Sequence, residues 1–237
     1  MKHLPDRKSN GLRVLDPYSC QGGAAMGWYL AGFDVTGVDK DPQPRYPFTF
    51  IQGDAVEYIL AHGHEYDLIA GSPPCQAHTL CQRIQGREHP RLIGPTREAM
   101  QATGRPWIIE NVPEAAAELR DPITLCGASF GLHTYRHRLF EAGGGLTLAA
   151  PLHQPHLHPT VKMGRPLKTR EDYLREGLDR DGDWYHAVGN FSGVPYVARD
   201  MGVEWMSRDG IRECIPPAYT RYLGEQVAAL LGAEVAA

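Results

Sequence analysis

The run VLDPYSCQGGAAMGWYLAGFDVTGVD (14–39) decides the fold. It reads as a strand (LRVLD, 12–16), a glycine-containing turn, a helix (22–32) and a second strand (FDVTGVD, 33–39) that ends in Asp39. The Ala, Met, Trp and Leu of the middle segment suit a helix packed on a sheet. Outward from this unit, short β-like runs recur at FTFIQ (48–52), YDLIAG (66–71), WIIEN (107–111), ITLCG (123–127) and HRLFE (137–141). AVEYILAHG (55–63) reads as a further helix ended by Gly63. Such alternation predicts an α/β fold with a doubly wound, mainly parallel sheet.

The texture changes after Gly143-Gly144-Gly145: residues 151–213 are rich in His, Pro, Gly and charge, with weak periodicity. They read as a small irregular insert between a main domain of 1–150 and its closing segment, 214–237. IPPAYTRYLGEQVAALLGAEV (215–235) predicts an amphipathic helix that begins after a double proline and docks back on the main domain.

A chain of 237 residues accommodates one substantial domain and a small appended one. An apolar share of 42% with 22% charged residues excludes a disordered chain. A formal charge of −4 neither advertises nor excludes a nucleic-acid partner, because binding depends on where positive charge lies. The five cysteines, Cys20, Cys75, Cys81, Cys126 and Cys214, are odd in number and form no CxxC pair. That argues against a disulfide framework and a standard zinc site, and places the chain in a reducing cytoplasm. No apolar run is long enough to act as a signal peptide or to cross a membrane.

The strand ends carry the chemistry. Gly22 and Gly23 allow a close backbone approach to a ligand, and Asp39 stands where a ribose diol would be held. Asp54, in GDA (53–55), is placed to accept from an exocyclic amine such as that of adenine. On this segment alone, a tight turn with two solvated acids serves equally well. The fourth strand ends in GSPPCQ (71–76), whose two prolines stiffen the loop and aim the Cys75 thiol. The fifth ends in ENVP (110–113), presenting Glu110 at the same edge. In a doubly wound sheet the carboxyl ends of neighbouring strands line the ligand crevice, so thiol and acid face one ligand. A free Cys is more often a small buried hydrophobe, but a polar Pro-Pro-Cys-Gln loop argues for exposure.

With these residues in view, the chain resembles the cytosine-5 DNA methyltransferase family, in particular its compact bacterial and phage members. DPYSCQGG (16–23) is similar to the family's cofactor motif, SPPCQ (72–76) to its catalytic Pro-Cys motif and ENV (110–112) to its glutamate motif. YRHRLFE (135–141) is similar to its arginine motif and IPPAYTRYLG (215–224) to its C-terminal motif. The matches are collinear and leave only the insert uncovered.

The resemblance implies a Rossmann-like, S-adenosyl-L-methionine-dependent methyltransferase sheet acting on double-stranded DNA, with Cys75, Glu110, Arg138 and Arg136 as catalytic residues. Cys75 would attack carbon 6 of a flipped cytosine, Glu110 would bind N3 and the exocyclic amine, and Arg138 would hold O2. Arg136 would support Arg138 or a phosphate. The cofactor would lie against Tyr18, Ser19, Cys20, Gly22, Gly23, Asp39, Asp54, Ala55 and Pro73. The sequence departs from the family at Pro17 and Tyr18, at Cys20 where Gly is common, at His78 and Thr79, and at Thr134. These departures touch cofactor and loop contacts rather than the reacting groups. An RNA cytosine-5 methyltransferase and a catalytically silent DNA-binding relative are the competing readings. Protection of DNA from restriction is the role the resemblance suggests.

DNA contacts are expected from Gln76, Arg83 and Arg87 after the Cys75 loop, where Arg91, Arg97 and Arg105 continue a basic stretch. A solvated helix face explains any single arginine equally well. Lys162, Arg165 and Lys168 lie in the insert at the place of the family's target-recognition region, and the insert's shortness implies a brief or loose recognition sequence. His153, His156 and His158 sit in a Pro-interrupted loop with no helical register and no Cys partner, which predicts a surface loop and no metal. A monomer is expected.

Overall fold

The computed structural model describes residues 4–74, 91–161, 184–191 and 193–232. Cys75, Gln76, Arg83, Arg87, Lys162, Arg165 and Lys168 lie outside the described residues.

The first crossover unit forms as its sequence dictates. β1 (Arg13–Pro17) leads through a tight turn into α1 (Gly23–Leu30) and on to β2 (Asp34–Asp39). β3 (Thr49–Gln52), α2 (Ala55–His62), β4 (Leu68–Gly71), α3 (Ile93–Ala102) and β5 (Trp107–Asn111) follow. β6 (Ile123–Leu125) and β7 (Arg138–Gly143) complete a seven-stranded sheet of order β3-β2-β1-β4-β5-β7-β6. The β3, β2, β1, β4 and β5 neighbours pair in parallel, while β7 is antiparallel to both β5 and β6. Strand order reverses at β1 and β4, which opens a crevice at their carboxyl ends.

Alternating side chains send successive residues to opposite faces, and both faces are covered. Val14, Val35, Leu68 and Ile108 pack with Ala25 and Trp28 of α1 and with Tyr219, Leu223 and Val227 of the C-terminal helix. Leu15, Val38, Ile69 and Ile109 pack with Ile59 of α2 and with Ile93, Ala99 and Met100 of α3.

The insert holds more order than its weak periodicity suggests. β8 (Thr160–Val161) pairs in parallel with β9 (Trp184–Tyr185), and α4 (Val194–Asp200) and α5 (Arg208–Glu213) follow. Tyr185, Phe191, Val197, Met201, Met206 and Ile211 form a cluster of their own. These helices are too short to display a repeating apolar face in sequence. Among the described residues, no helix is long and apolar enough to cross a membrane.

α6 (Pro217–Leu230) lies so close to α1 that glycine is required on both sides. A Cβ on Gly27 would drive into the Thr220 hydroxyl and the Pro217 carbonyl, and one on Gly224 into the Ala31 methyl. The Thr220 hydroxyl donates to the Ala24 carbonyl at 2.8 Å and stitches the seam. Gly27→Val should therefore lower the urea-unfolding free energy by about 1–3 kcal/mol, the usual cost of overpacking. An unchanged unfolding midpoint would show that the seam does not constrain the fold.

Candidate active site

The chemistry end is organised by two buried side chains at the end of β5. Asn111 Nδ2 donates to the Pro73 carbonyl at 2.9 Å and fixes the Ser72-Pro73-Pro74 segment beside the strand. Glu110 is buried next to it, and the Ser72 hydroxyl is one of its hydrogen-bond partners. Arg138, the first residue of β7, brings its Nε to 3.0 Å from Glu110 Oε1. The guanidinium is not aimed for a hydrogen bond, so Oε1 remains a buried acceptor without a donor. Burial pushes the Glu110 carboxyl above its ordinary range, against the lowering influence of Arg138, Ser72 and Arg136. The site thus holds a buried carboxyl, a cation beside it and an unfilled acceptor. Cys75 lies outside the described residues, one position beyond Pro74.

The expected role of Arg136 needs correction. It does not reach outward to support Arg138 or a phosphate. Its Nε donates to the Cys214 carbonyl at 2.8 Å, and its terminal nitrogens donate to Ala187, Ile211 and Arg212 carbonyls. Burial lowers its pKa, with the nearby Arg138 charge adding to the effect. Arg136 is a structural clamp between the start of β7 and the segment leading into α6. Arg97 is likewise internal: it forms a bidentate pair with Glu141 at 2.7 and 2.6 Å, both side chains buried. Arg105 holds the His64 carbonyl, and Arg91 pairs with Glu118 at 3.3 Å.

The residues expected at the cofactor end converge on the carboxyl edge of β1 to β4. Asp39 is buried and accepts from the Cys20 amide at 2.9 Å and the Asp41 amide at 3.0 Å, pinning the 18–20 turn over β2. Tyr18 and Cys20 adopt φ of 62° and 44°, the left-handed region where glycine is at ease, which explains why Gly is common at the position of Cys20. The Tyr18 hydroxyl meets Thr96 Oγ1 of α3 at 2.6 Å. Asp54 caps α2 by accepting from the Glu57 amide at 3.0 Å, which leaves its other oxygen open to a ligand. Ser19 Oγ is buried with no partner at all.

The two glycines are closely packed. Gly22 caps α1 at φ 84° against Tyr46 and Pro47. Gly23 has no room for a Cβ against the Cys214 sulfur and the Ile215 carbonyl. Ala55 and Pro73 are buried beneath the edge.

Sequence reading missed several residues. Gln21 accepts from the Ser207 amide at 2.9 Å, and its carbonyl accepts from Trp205 Nε1 at 2.8 Å, so the loop before α1 leans on the end of the insert. No local pattern signals a contact across such a separation. Asp16, at the end of β1, was legible as a strand-end acid. Its buried carboxyl meets the Tyr46 hydroxyl at 3.3 Å and lies near Asp39. The expectation of an unpartnered histidine loop is also corrected: Cys126 Sγ lies 3.5 Å from His156 Nε2, and His137 Nε2 lies 3.0 Å from His153 Nε2. Cys126 is distant in sequence and comes to the loop only through the β6–β7 pair.

This crevice, with β7 reversed at one side of an otherwise parallel sheet, is the fold of the Rossmann-like methyltransferases. In sequence, the chain is 25% identical over 218 residues to the type II methyltransferase M.AquIA of Picosynechococcus sp., spanning 68% of this chain and 87% of that protein. In structure, it is similar to a DNA modification methyltransferase encoded within an E. coli prophage, with TM-score 0.58, 17% identity and coverage of 94% of this chain and 100% of that one. It is also similar to the S. pombe Dnmt2 methyltransferase, with TM-score 0.54, 14% identity and coverage of 93% and 99%. No protein-family model matches.

Burial raises the Asp16 pKa to about 8, a shift that Tyr46 opposes and the Asp39 charge reinforces. The folded state therefore binds this proton more tightly than the unfolded chain. The associated stability is complete below about pH 4 and is lost as pH rises through about 8. Asp16→Asn should flatten the pH dependence of the urea midpoint across that window and raise the midpoint at its alkaline end. A slope equal to that of the wild type would refute the buried proton.

Proposed function

We propose that the protein is a DNA (cytosine-5)-methyltransferase that uses S-adenosyl-L-methionine and a covalent Cys75 adduct. The observation that carries this reading is the junction of Ser72-Pro73-Pro74 with Glu110, Asn111 and Arg138. It supports a nucleophile-bearing loop that starts beside a buried acid and a cation. The 25% identity to a type II methyltransferase supports methyl transfer as the reaction.

The cofactor end fits the donor. The orphaned Ser19 hydroxyl, the Asp39 carboxylate, the open Asp54 oxygen and the 18–20 turn offer polar groups suited to a nucleoside and an amino acid. Tyr18, Cys20, Gly22, Gly23, Ala55 and Pro73 complete the edge around them. When bound there, S-adenosyl-L-methionine supplies an electrophilic methyl group on its sulfonium.

The protein's own groups must make carbon 5 of cytosine nucleophilic. The Cys75 thiolate forms a sulfur–carbon bond at carbon 6, and the electrons of the 5,6 double bond become available at carbon 5. The charge that this addition drives into the ring is met at N3 by Glu110, whose burial favours the protonated carboxyl. The donor-free Glu110 Oε1 is an acceptor suited to the exocyclic amine, and Arg138 stands by for O2. Carbon 5 would take the methyl group as the donor's sulfur–methyl bond breaks, and loss of the carbon-5 proton to water would then expel the Cys75 thiolate and restore the double bond. Such attack requires the base to leave the duplex. By position, residues 151–213 serve target recognition, with Lys162, Arg165 and Lys168 on DNA phosphates, as Gln76, Arg83 and Arg87 would be beyond Cys75.

Among the described cysteines, Cys20 and Cys214 are pushed up by burial, that of Cys214 to about 12, and neither suits a thiolate nucleophile.

The test is transfer of labelled methyl groups to DNA, followed by base analysis, with transfer RNA assayed alongside. The label should appear as 5-methylcytosine in DNA and fall to background in Cys75→Ser. Glu110→Ala should lose roughly 10²–10⁴-fold in rate, the usual range for a positioned proton donor. Because the Glu110 pKa is raised, the wild-type rate should fall as pH climbs through it, whereas Glu110→Gln should lack that alkaline limb. Label on an exocyclic amine, or confined to RNA, would overturn the assignment.

A further inference from the structure

Beside the start of β7, four donor atoms converge that methyl transfer does not use. We propose that Cys126, His137, His153 and His156 form a structural Zn²⁺ site that staples the start of the insert to the β6–β7 pair. Its four ligand atoms, one sulfur and three imidazole nitrogens, all lie within 4.8 Å of one another. A tetrahedral zinc with bonds of about 2.3 Å to sulfur and 2.0–2.1 Å to nitrogen sets N···N near about 3.3 Å and S···N near about 3.6 Å. The structure has 3.0 Å between His137 Nε2 and His153 Nε2, and 3.5 Å between Cys126 Sγ and His156 Nε2. Both pairs fall within a few tenths of an ångström of a zinc tetrahedron.

Two of the ligands adjoin strand ends. The β6–β7 register ends with Leu125 paired to Arg138, and Cys126 directly follows the one while His137 directly precedes the other. Just beyond, the Gly127 amide donates to the Tyr135 carbonyl at 2.8 Å and ties the two segments together. The other two ligands come from His-Gln-Pro-His (153–156), whose proline limits the loop's freedom.

Tyr135 acts as the supporting shell. Its ring stacks on His156 with centroids 3.7 Å apart and planes 17° from parallel. Its hydroxyl donates to the His158 carbonyl and accepts from the His158 amide, both at 2.9 Å. The stacked phenol ring limits how the His156 imidazole can turn.

The chemistry of the set points to zinc. One thiolate with three neutral imidazoles is a borderline-soft donor set, and four protein ligands leave no open position for water, which marks a structural rather than a catalytic ion. Binding would release the Cys126 thiol proton. His137 lies between Arg136 and Arg138, so the ion would anchor the strand start that carries both arginines. His158 is not a ligand; its ring stacks on Trp184 at 4.8 Å. The proposal is independent of the base that the enzyme methylates.

The full chain provides the test. As purified, it should contain one zinc per molecule by elemental analysis. After chelation, it should take up one Co²⁺ with the visible bands of a tetrahedral ion and a thiolate-to-metal charge-transfer band, and zinc should displace that ion. Cys126→Ser should lose the charge-transfer band. His153→Ala/His156→Ala, which alters two exposed rings and leaves the core intact, should lose the metal altogether, while His158→Ala should retain it. Chelation should lower the Tm of the wild type and leave that of the double variant unchanged. Absence of tetrahedral cobalt bands, uptake unaffected by these substitutions, or copper at one equivalent in place of zinc would overturn the proposal.

Discussion

The hydrogen bond from Asn111 to the Pro73 carbonyl is the constraint on which the chemistry end depends. It joins the ends of β4 and β5 in a buried setting, where an unmade hydrogen bond would be costly. Pro73 and Pro74 restrict the backbone on one side of the bond, and the β5–β7 ladder holds Asn111 on the other. Glu110 is caught between them, buried beside Arg138 yet with one oxygen unserved. A carboxyl in that position costs stability unless a ligand fills the vacancy, which is why the arrangement reads as a site rather than as core.

The cofactor end is braced by parts of the chain far away in sequence. α6 seats against α1 through glycine contacts, and the Tyr219 hydroxyl donates to the Arg136 carbonyl at 3.0 Å. Arg136 in turn clamps the carbonyls of Cys214, Ile211 and Arg212. The arginine motif and the C-terminal motif are therefore two halves of one support. Gln21, bonded to the Ser207 amide, carries the same bracing into the turn that holds Ser19 and Cys20.

Strands and helices of the main sheet were legible because burial on both faces demands continuous apolar runs, and glycines mark the turns between them. The reversal of β7 was not, since a strand's direction depends on its connection rather than its composition. Glu110 and Arg138 were singled out through their motifs, and the strand pairing of β5 with β7 sets them side by side. Asn111 sits in the same motif, but its task became clear only when β4 came alongside. Arg136 misled because a guanidinium two positions from Arg138 reads as a second functional cation, whereas here it serves backbone carbonyls. Cys126 could not be linked to the histidine loop from sequence, because only the pairing of β6 with β7 brings His137 and the loop to it.

The most direct test of the central claim is covalent trapping on DNA that carries 5-fluorocytosine, with S-adenosyl-L-methionine present. Fluorine at carbon 5 cannot depart as a proton does, so an enzyme that has added at carbon 6 stays attached. The account predicts a denaturation-resistant, equimolar protein–DNA adduct that maps to Cys75 and is absent from Cys75→Ala. An active enzyme that methylates DNA yet forms no such adduct would contradict it.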